Sequence, residues 1–210
     1  MQKADYDFAI IPLLTEGLNR SDGVKGIFIG ATIIYLIVAI IINVILEFVF
    51  PSANSTINGL ISGLISGIIT VPLQVGITMM GISRAREKSF AVSDMFNYFS
   101  MAMPIVITYI VLTTIISVGF LLLILPGIYL AISYSFAYQL VVDKGLGTWE
   151  AMELSRKTIT EQWFKFFGLS IVIFFCIIIS AIPFGIGLIW TIPMIYISYG
   201  LLYHHLFDDE

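Results

Sequence analysis

Two histidines near the carboxyl end of the chain stand one helical turn before acidic residues. In LYHHLFDDE, His204 precedes Asp208 and His205 precedes Asp209 by four residues, a spacing that places both members of a pair on one face of a helix. Imidazole and carboxylate are zinc ligands, but a zinc site needs three or four of them. The rest of the sequence supplies no further convincing ligand. We therefore expect a solvated tail, with no metal site and no cofactor.

A second polar set lies inside apolar sequence. Asn43 precedes Glu47 by one turn, and Gln74 lies in the next apolar segment. An ionisable group inside a membrane is costly and is a functional candidate for that reason. These residues are the candidates for coordinating a cation or relaying a proton. The alternative is that Glu47, close to Pro51, reaches the membrane interface and is solvated there.

Tyrosines form two stripes at helical spacing. Tyr129 and Ser133 share one helix face, and Tyr196 and Tyr199 share another. Together with Gln74, they are candidates for lining a cleft that takes a lipid or a small ligand. The alternative is an interior packing face that ends in an interfacial belt, where tyrosine keeps its ring in lipid and its hydroxyl in water.

These residues must be positioned by apolar helices, because the composition excludes a water-soluble domain. The 210 residues are 59% hydrophobic and 11% charged, with a mean hydropathy of +1.00, whereas soluble domains are about 25% charged. The formal net charge of −4 and the lack of a basic block argue against a nucleic-acid partner. The sequence therefore predicts an integral membrane protein with membrane lipids as its partners.

Six segments approach the length of about 20 apolar residues that a bilayer core requires. We predict a single all-α membrane domain over residues 1–210, in which two close-spaced pairs turn near Ser117–Gly119 and at IPFGIG. All ten Lys and Arg residues then fall on the side of the N-terminus, so both termini are expected in the cytoplasm, with no removable signal peptide. The predicted spans are 26–50, 58–82, 101–118, 120–142, 164–182 and 186–205.

The six spans pair into three helical hairpins whose second helices each carry a proline: Pro72, Pro126 and Pro193. The last two share Pro-x-Ile-Tyr, and the first matches only in outline. This pattern predicts three parallel pseudo-repeats. A proline inside a helix removes one backbone hydrogen bond and kinks the chain, so we expect kinks here. The alternative is that the prolines only shape packing.

A ladder of small residues marks the second span. Gly59, Gly63 and Gly67 recur every four residues in GLISGLISG, a spacing that lets two membrane helices approach closely. The partner is either a helix of the same chain or a second subunit of a homo-oligomer.

Two polar segments, VSDMFNYFSMAM and GTWEAMELSRKTITEQWFKFF, read as short amphipathic helices on the cytoplasmic side. The second has Trp149, Met152, Ile159 and Trp163 on its apolar face. Such helices typically lie in the headgroup layer. A docking surface for a soluble partner is the alternative.

The stretch LPGIYLAISYSFAYQLVVDKGLGTWEAMELSRK resembles the repeated signature of an uncharacterised bacterial integral-membrane family. That family is related to the membrane domain that precedes the catalytic domain of some glycerophosphodiester phosphodiesterases. The resemblance covers mainly residues 115–205 and implies a bundle of helical hairpins in the bacterial cytoplasmic (inner) membrane, without an agreed activity. The phosphodiesterase catalytic domain has no counterpart here. The matching elements are Pro126-Gly127-Ile128, the aromatic stretch through Tyr138, Asp143, Glu150-Ala151 and Ser155-Arg156-Lys157.

The sequence thus favours a multi-pass inner-membrane protein without enzymatic activity, which binds a lipid or a small apolar ligand or scaffolds a membrane partner. An oligomeric channel or small-solute transporter is the alternative, supported by the glycine ladder and by Asn43 with Glu47. An intramembrane enzyme is the least supported class, because the spans contain no Ser–His or Asp–Asp pair and no His-x-x-x-His motif.

Overall fold

The computed structural model describes residues 7–51 and 55–208. Within these ranges the chain is all-helical and contains no strand, which confirms the all-α part of the predicted fold class. A 3₁₀ helix covers Val92–Met101 and runs directly into an α-helix. The α-helices are α1 Ile10–Arg20, α2 Lys25–Val49, α3 Thr56–Ala85, α4 Ala102–Leu122, α5 Ile124–Ser133, α6 Ala137–Asp143, α7 Thr148–Glu161, α8 Trp163–Ala181 and α9 Leu188–Phe207.

Five stretches of the described chain are long and apolar enough to cross a membrane. Many large apolar side chains on their outer surfaces are exposed, as lipid-facing residues are, for example Ile40, Phe48 and Phe174. These features fit a multi-pass helical membrane protein. The helix α9 is not among the five, since its 20 residues include three tyrosines and two histidines. The five stretches are Lys25–Val49, Thr56–Ala85, Val92–Leu122, Ile124–Asp143 and Trp163–Ala181.

The turn of the second hairpin lies at Leu123, not at Ser117–Gly119 as predicted. The helix α4 continues to Leu122, and Leu123 then adopts an extended conformation with φ −162° and ψ 151°. Gly119 stays helical, and its small size serves packing instead. A Cβ atom added there would lie 3.2 Å from the Cα atom of Gly127 on α5. The glycine therefore lets the two arms of the hairpin approach each other.

The three prolines do not play the same part. Pro72 and Pro193 lie buried inside α3 and α9. Pro126, in contrast, lies in the first turn of α5, where a backbone N–H has no partner within the helix and a proline is tolerated. The kink predicted at Pro126 is therefore wrong. The second hairpin has its irregular point further on, where α5 ends and α6 begins.

Short helices pack along the long ones. The helix α1, which the hydropathy pattern missed, packs against α9, the 3₁₀ helix packs against α3, and α7 packs against α5 and α6. The apolar side of α7 packs against the protein through Met152 and Ile159, which are fully buried, whereas Trp149 is 69% exposed. In the 3₁₀ helix, Met95 is likewise fully buried. The placement of α7 in the headgroup layer stays a prediction.

The long helices α3 and α9 approach each other closely. A Cβ atom added to Gly81 would lie 2.7 Å from the carbonyl carbon of Tyr196, and one added to Gly200 would lie 2.7 Å from the backbone nitrogen of Ile82. Only glycine fits at these two positions without moving backbone. Gly81 and Gly200 thus allow α9 to pack against α3 in the centre of the bundle.

The predicted glycine ladder lies at the other end of α3 and is only partly covered. An added Cβ atom on Gly67 would overlap the ring of Tyr109 on α4, whereas one on Gly63 would meet open space. Gly59 is half-buried. The carbonyl of Gly63 accepts a hydrogen bond from the Tyr109 hydroxyl at 3.2 Å. The Cβ side of Gly63 thus stays open to a partner, and its subunit role stays a prediction.

Candidate functional site

A cavity of about 590 Å³ lies between α3, α4, the junction of α5 with α6, and α9. It is open to the exterior, because Gln74, Ser117 and Ala131 are exposed and line it. Of the described residues in its wall, none carries a charge. They are Val71, Gln74, Val75, Thr78, Leu112, Thr113, Ile116, Ser117, Ala131, Tyr134, Ser135, Tyr138, Gln139, Ile195, Tyr196 and Tyr199.

The predicted cleft residues divide between two places. Gln74, Tyr196 and Tyr199 line the cavity. Tyr129 and Ser133 do not. The Tyr129 hydroxyl instead lies 2.9 Å from the hydroxyl of Thr160 on α7.

The side of the second hairpin that faces the cavity is formed by Tyr134, Ser135 and Tyr138. The face of α5 that carries Tyr129 therefore points toward α7. Tyr134, which directly follows Ser133, lies in the cavity wall instead. Helical spacing correctly identified which residues share a face. It could not identify which face meets the cavity.

A break in the helix forms part of the cavity wall. Regular α-helix ends at Ser133 and resumes at Ala137. Ser155 of α7, which is fully buried, spans this break: its hydroxyl donates to the carbonyl of Ser133 at 2.8 Å and accepts from the N–H of Phe136 at 3.3 Å. Backbone groups freed inside a membrane need partners from neighbouring helices, and Ser155 supplies both.

The polar side chains in the cavity wall differ in whether they already have a hydrogen-bond partner within the protein. Thr78 donates to the backbone carbonyl of Gln74 at 3.0 Å. With its amide oriented by the hydrogen-bond network, Gln139 donates to the carbonyls of Ser135 and Phe136, both at 3.2 Å. The Gln74 side chain, in contrast, has no hydrogen-bond partner in the described part of the chain. Its amide is thus available to a ligand.

Of the ion or proton candidates, Gln74 is not brought together with Asn43 and Glu47. Asn43 donates to the carbonyl of Ala39 at 2.8 Å and to the hydroxyl of Ser66 at 3.1 Å. Gln74 lies eight residues beyond Ser66 on the same helix, about 12 Å along its axis. Glu47 is exposed, one turn beyond Asn43 on α2. Across residues 7–51 and 55–208, no group of three His, Cys, Asp or Glu side chains is placed to hold a metal ion.

A charged cluster that the sequence patterns missed joins the ends of α3, α6 and α9. The Arg86 guanidinium donates to both oxygens of Asp143, at 2.7 and 2.6 Å, and to both oxygens of Asp208, at 2.6 and 2.8 Å. Tyr203 donates to Asp143 at 2.9 Å, and Lys144 donates to Asp208 at 3.0 Å. The side chains of Arg86, Asp143 and Asp208 are 19, 12 and 13% exposed. We name these five residues the terminal cluster.

Arg86 and Asp208 are both held in their charged forms. Hydrogen bonds to Asp143 and Asp208 raise the pKa of Arg86 above its usual value. Burial would raise the pKa of Asp208, but hydrogen bonds from Arg86 and Lys144 together lower it below its usual value. Asp208 is therefore committed to the terminal cluster, and Asp209, the other acid of the histidine pairs, lies outside the described residues.

One signal could have pointed to the terminal cluster. Arg86, Asp143 and Asp208 follow Pro72, Pro126 and Pro193 by 14, 17 and 15 residues, which is roughly four to five helical turns. In the predicted repeat these three residues take corresponding positions at the ends of the second helices, so their opposite charges are candidates for contact. The pattern becomes visible only after the three hairpins are aligned.

The arrangement as a whole combines an uncharged, mainly apolar cavity between the helices with a charged cluster that joins three helix ends. Such a cavity can bind a ligand, and such a cluster can hold helices together. No protein-family model matches this chain, and neither a curated protein nor a solved structure matches it significantly.

Proposed function

We propose that this chain is a non-enzymatic membrane protein that binds a lipid or another small apolar ligand in the cavity between α3, α4, α5–α6 and α9. The cavity is the observation that carries the proposal. Its volume of about 590 Å³ lies within the range of roughly 300–1,000 Å³ that is usual for small-molecule sites. Apolar walls with a few polar groups are also typical of such sites. Three of its four sides belong to candidate membrane spans, so its opening would face lipid.

The topology that we propose has six membrane spans, with α9 as the sixth, and both termini in the cytoplasm. We propose that the membrane is the inner membrane of a bacterium. The hairpins are α2–α3, α4 with α5–α6, and α8–α9. The placement of α9 in the centre of the bundle against α3 supports its assignment as a span. We also propose that the chain belongs to the family related to the membrane domain of glycerophosphodiester phosphodiesterases.

Cyclic packing supports the proposed threefold repeat. A short helix precedes each hairpin, and each short helix packs against the second arm of another: α1 on α9, the 3₁₀ helix on α3, and α7 on α5–α6. A small residue lies at each of these contacts. They are Gly17 against Met194, Gly76 against Met95, and Ser155 against Ser133. The terminal cluster then joins the three second arms at one end.

An oligomeric channel or transporter is the second candidate. The open space beside Gly63 and the exposed side of α2 favour it, because a second subunit could pack there. In that case the conducting path would involve Asn43 and Glu47. Scaffolding of another membrane protein would use the same surface.

Native mass spectrometry of the protein released in a mild detergent tests the proposal. We expect a monomer that retains lipid, and we expect Ala131→Trp, which places a bulky ring in the cavity wall at its opening, to lose it. Ala181→Trp is the matched control, since Ala181 is exposed at the end of α8 and does not line the cavity. Equal lipid retention by both variants would refute a cavity site. A discrete oligomer without lipid would favour the channel.

A further inference from the structure

We propose that the cavity selects uncharged lipids that carry hydroxyl or ester oxygens, of the diacylglycerol type, over anionic phospholipids. This inference rests on the proposed function and names the class of ligand. It follows from the charge of the cavity wall and from the hydrogen-bond donors that the wall has to offer.

The cavity wall cannot neutralise an anion. Its described residues are uncharged throughout. Arg156 interacts electrostatically with Tyr134 from the α7 side, but it is paired with Glu153 through hydrogen bonds of 2.9 and 2.8 Å. Arg86 is likewise committed to Asp143 and Asp208 in the terminal cluster. A phosphate headgroup inside the cavity would therefore be a buried charge without a counter-ion, which is strongly unfavourable.

The same wall suits oxygen acceptors. The amide of Gln74 has no partner in the described part of the chain, and it lies in the wall with the hydroxyl-bearing side chains of Thr113, Ser117, Tyr134 and Tyr196. Amide N–H and hydroxyl groups donate to carbonyl and hydroxyl oxygens. Leaving them without a ligand in an apolar cavity costs free energy, so a ligand that supplies acceptors is preferred over a pure hydrocarbon.

The rest of the wall suits acyl chains. Val71, Val75, Leu112, Ile116 and Ile195 supply aliphatic surface between the polar groups. The opening at Gln74, Ser117 and Ala131 allows chains longer than the cavity to extend into the bilayer. An ester-linked lipid without a charged headgroup meets both requirements at once.

Native mass spectrometry with two lipids of identical acyl chains tests the selectivity. Dioleoylglycerol and dioleoylphosphatidylglycerol are added separately to the delipidated protein in mild detergent, and bound fractions are titrated. We expect dioleoylglycerol to bind and the phospholipid to bind at least tenfold more weakly. We expect Gln74→Leu to weaken dioleoylglycerol binding about 3- to 10-fold, the loss of one hydrogen bond.

Two further variants sharpen the test. Gln74→Lys introduces the missing counter-ion, and we expect it to shift preference toward the phospholipid by about tenfold. Thr113→Val, in the wall, is compared with Thr114→Val next to it. Thr114 is exposed outside the cavity and donates to the carbonyl of Ile110 at 2.7 Å. Only Thr113→Val is expected to weaken binding, and the melting temperature without added lipid reports whether each variant is folded.

The outcomes separate the two levels of the proposal. Dioleoylglycerol binding that Ala131→Trp abolishes and Gln74→Leu weakens supports both. Phospholipid binding that equals or exceeds that of dioleoylglycerol, and that Ala131→Trp abolishes, overturns the selectivity but leaves the cavity function. Binding of either lipid that Ala131→Trp leaves unchanged overturns the cavity function itself.

Discussion

Removal of Arg86 gives the most direct test of the terminal cluster. The change Arg86→Met keeps an unbranched side chain but leaves Asp143 and Asp208 facing each other with side chains only 12 and 13% exposed. Removing one partner of a buried ion pair costs roughly 3–5 kcal/mol. Here Asp208 keeps Lys144 and Asp143 keeps Tyr203, so we expect the lower end, about 3 kcal/mol. For a chain of this size that is a drop of about 6–12 °C in melting temperature.

The contribution of these carboxylates to the pH dependence of stability should change sign in Arg86→Met. In the wild type the folded-state pKa of Asp208 is lowered, so its contribution to stability is present above the unfolded pKa of about 4. That contribution is lost as the pH falls through the folded pKa. In Arg86→Met the carboxylates of Asp143 and Asp208 lack the guanidinium and repel each other, which raises the folded-state pKa of Asp208. Protonation then relieves the variant, and its deficit relative to wild type should shrink between pH 7.5 and pH 5.

Thermal unfolding in detergent at several pH values measures both effects. Lys88→Met is the matched control, because Lys88 is an exposed cation two residues away and surface charges contribute little. Arg86→Lys should fall between the two, since it keeps the charge but loses the bidentate geometry. A melting temperature for Arg86→Met within about 2 °C of the control, or a deficit that grows on acidification, would refute the reasoning.

The remaining predictions concern helix contacts and topology. Gly200→Leu should prevent the backbone contact between α9 and α3 and lower the yield of folded protein, because overpacking costs about 1–3 kcal/mol or more; a wild-type melting temperature would contradict this. Gly63→Leu should leave a monomer intact, since an added side chain there meets open space; a change in subunit number by native mass spectrometry would instead locate a subunit contact. Ser155→Ala should cost about 1–3 kcal/mol in thermal unfolding by leaving two buried backbone groups without partners, and an unchanged transition would argue against the bridging role. Ser55→Cys, in a Cys176→Ser background, should react with an impermeant maleimide from outside intact cells; labelling only after the membrane is opened would reverse the proposed topology.

Much of the helical framework could be predicted from the sequence. The span predicted at 26–50 is α2 Lys25–Val49, and the span predicted at 164–182 is α8 Trp163–Ala181. These segments are apolar around their whole circumference and long enough to cross a bilayer, so length and hydropathy suffice to locate them. The helix α1 was missed because it is short and amphipathic, and its position depends on contact with α9.

Helix faces were predicted, but their partners were not. The periodicity of an α-helix correctly places Tyr129 with Ser133 and Tyr196 with Tyr199, because it depends only on the local backbone. Whether such a face meets α7 or the cavity depends on how whole helices are rotated about their axes, which is decided by packing elsewhere. The close fit of Gly81 with Gly200 is one such determinant, since it fixes α9 against α3.

The sequence by itself indicated an apolar, lipid environment and the approximate positions of the long helices, because these follow from composition and from local hydropathy. Only the tertiary structure decided the cavity, the break that Ser155 bridges and the terminal cluster. Arg86 lies 57 residues from Asp143 and 122 from Asp208 along the chain. No local pattern encodes a contact over such separations, which arises only when three helices end at one place.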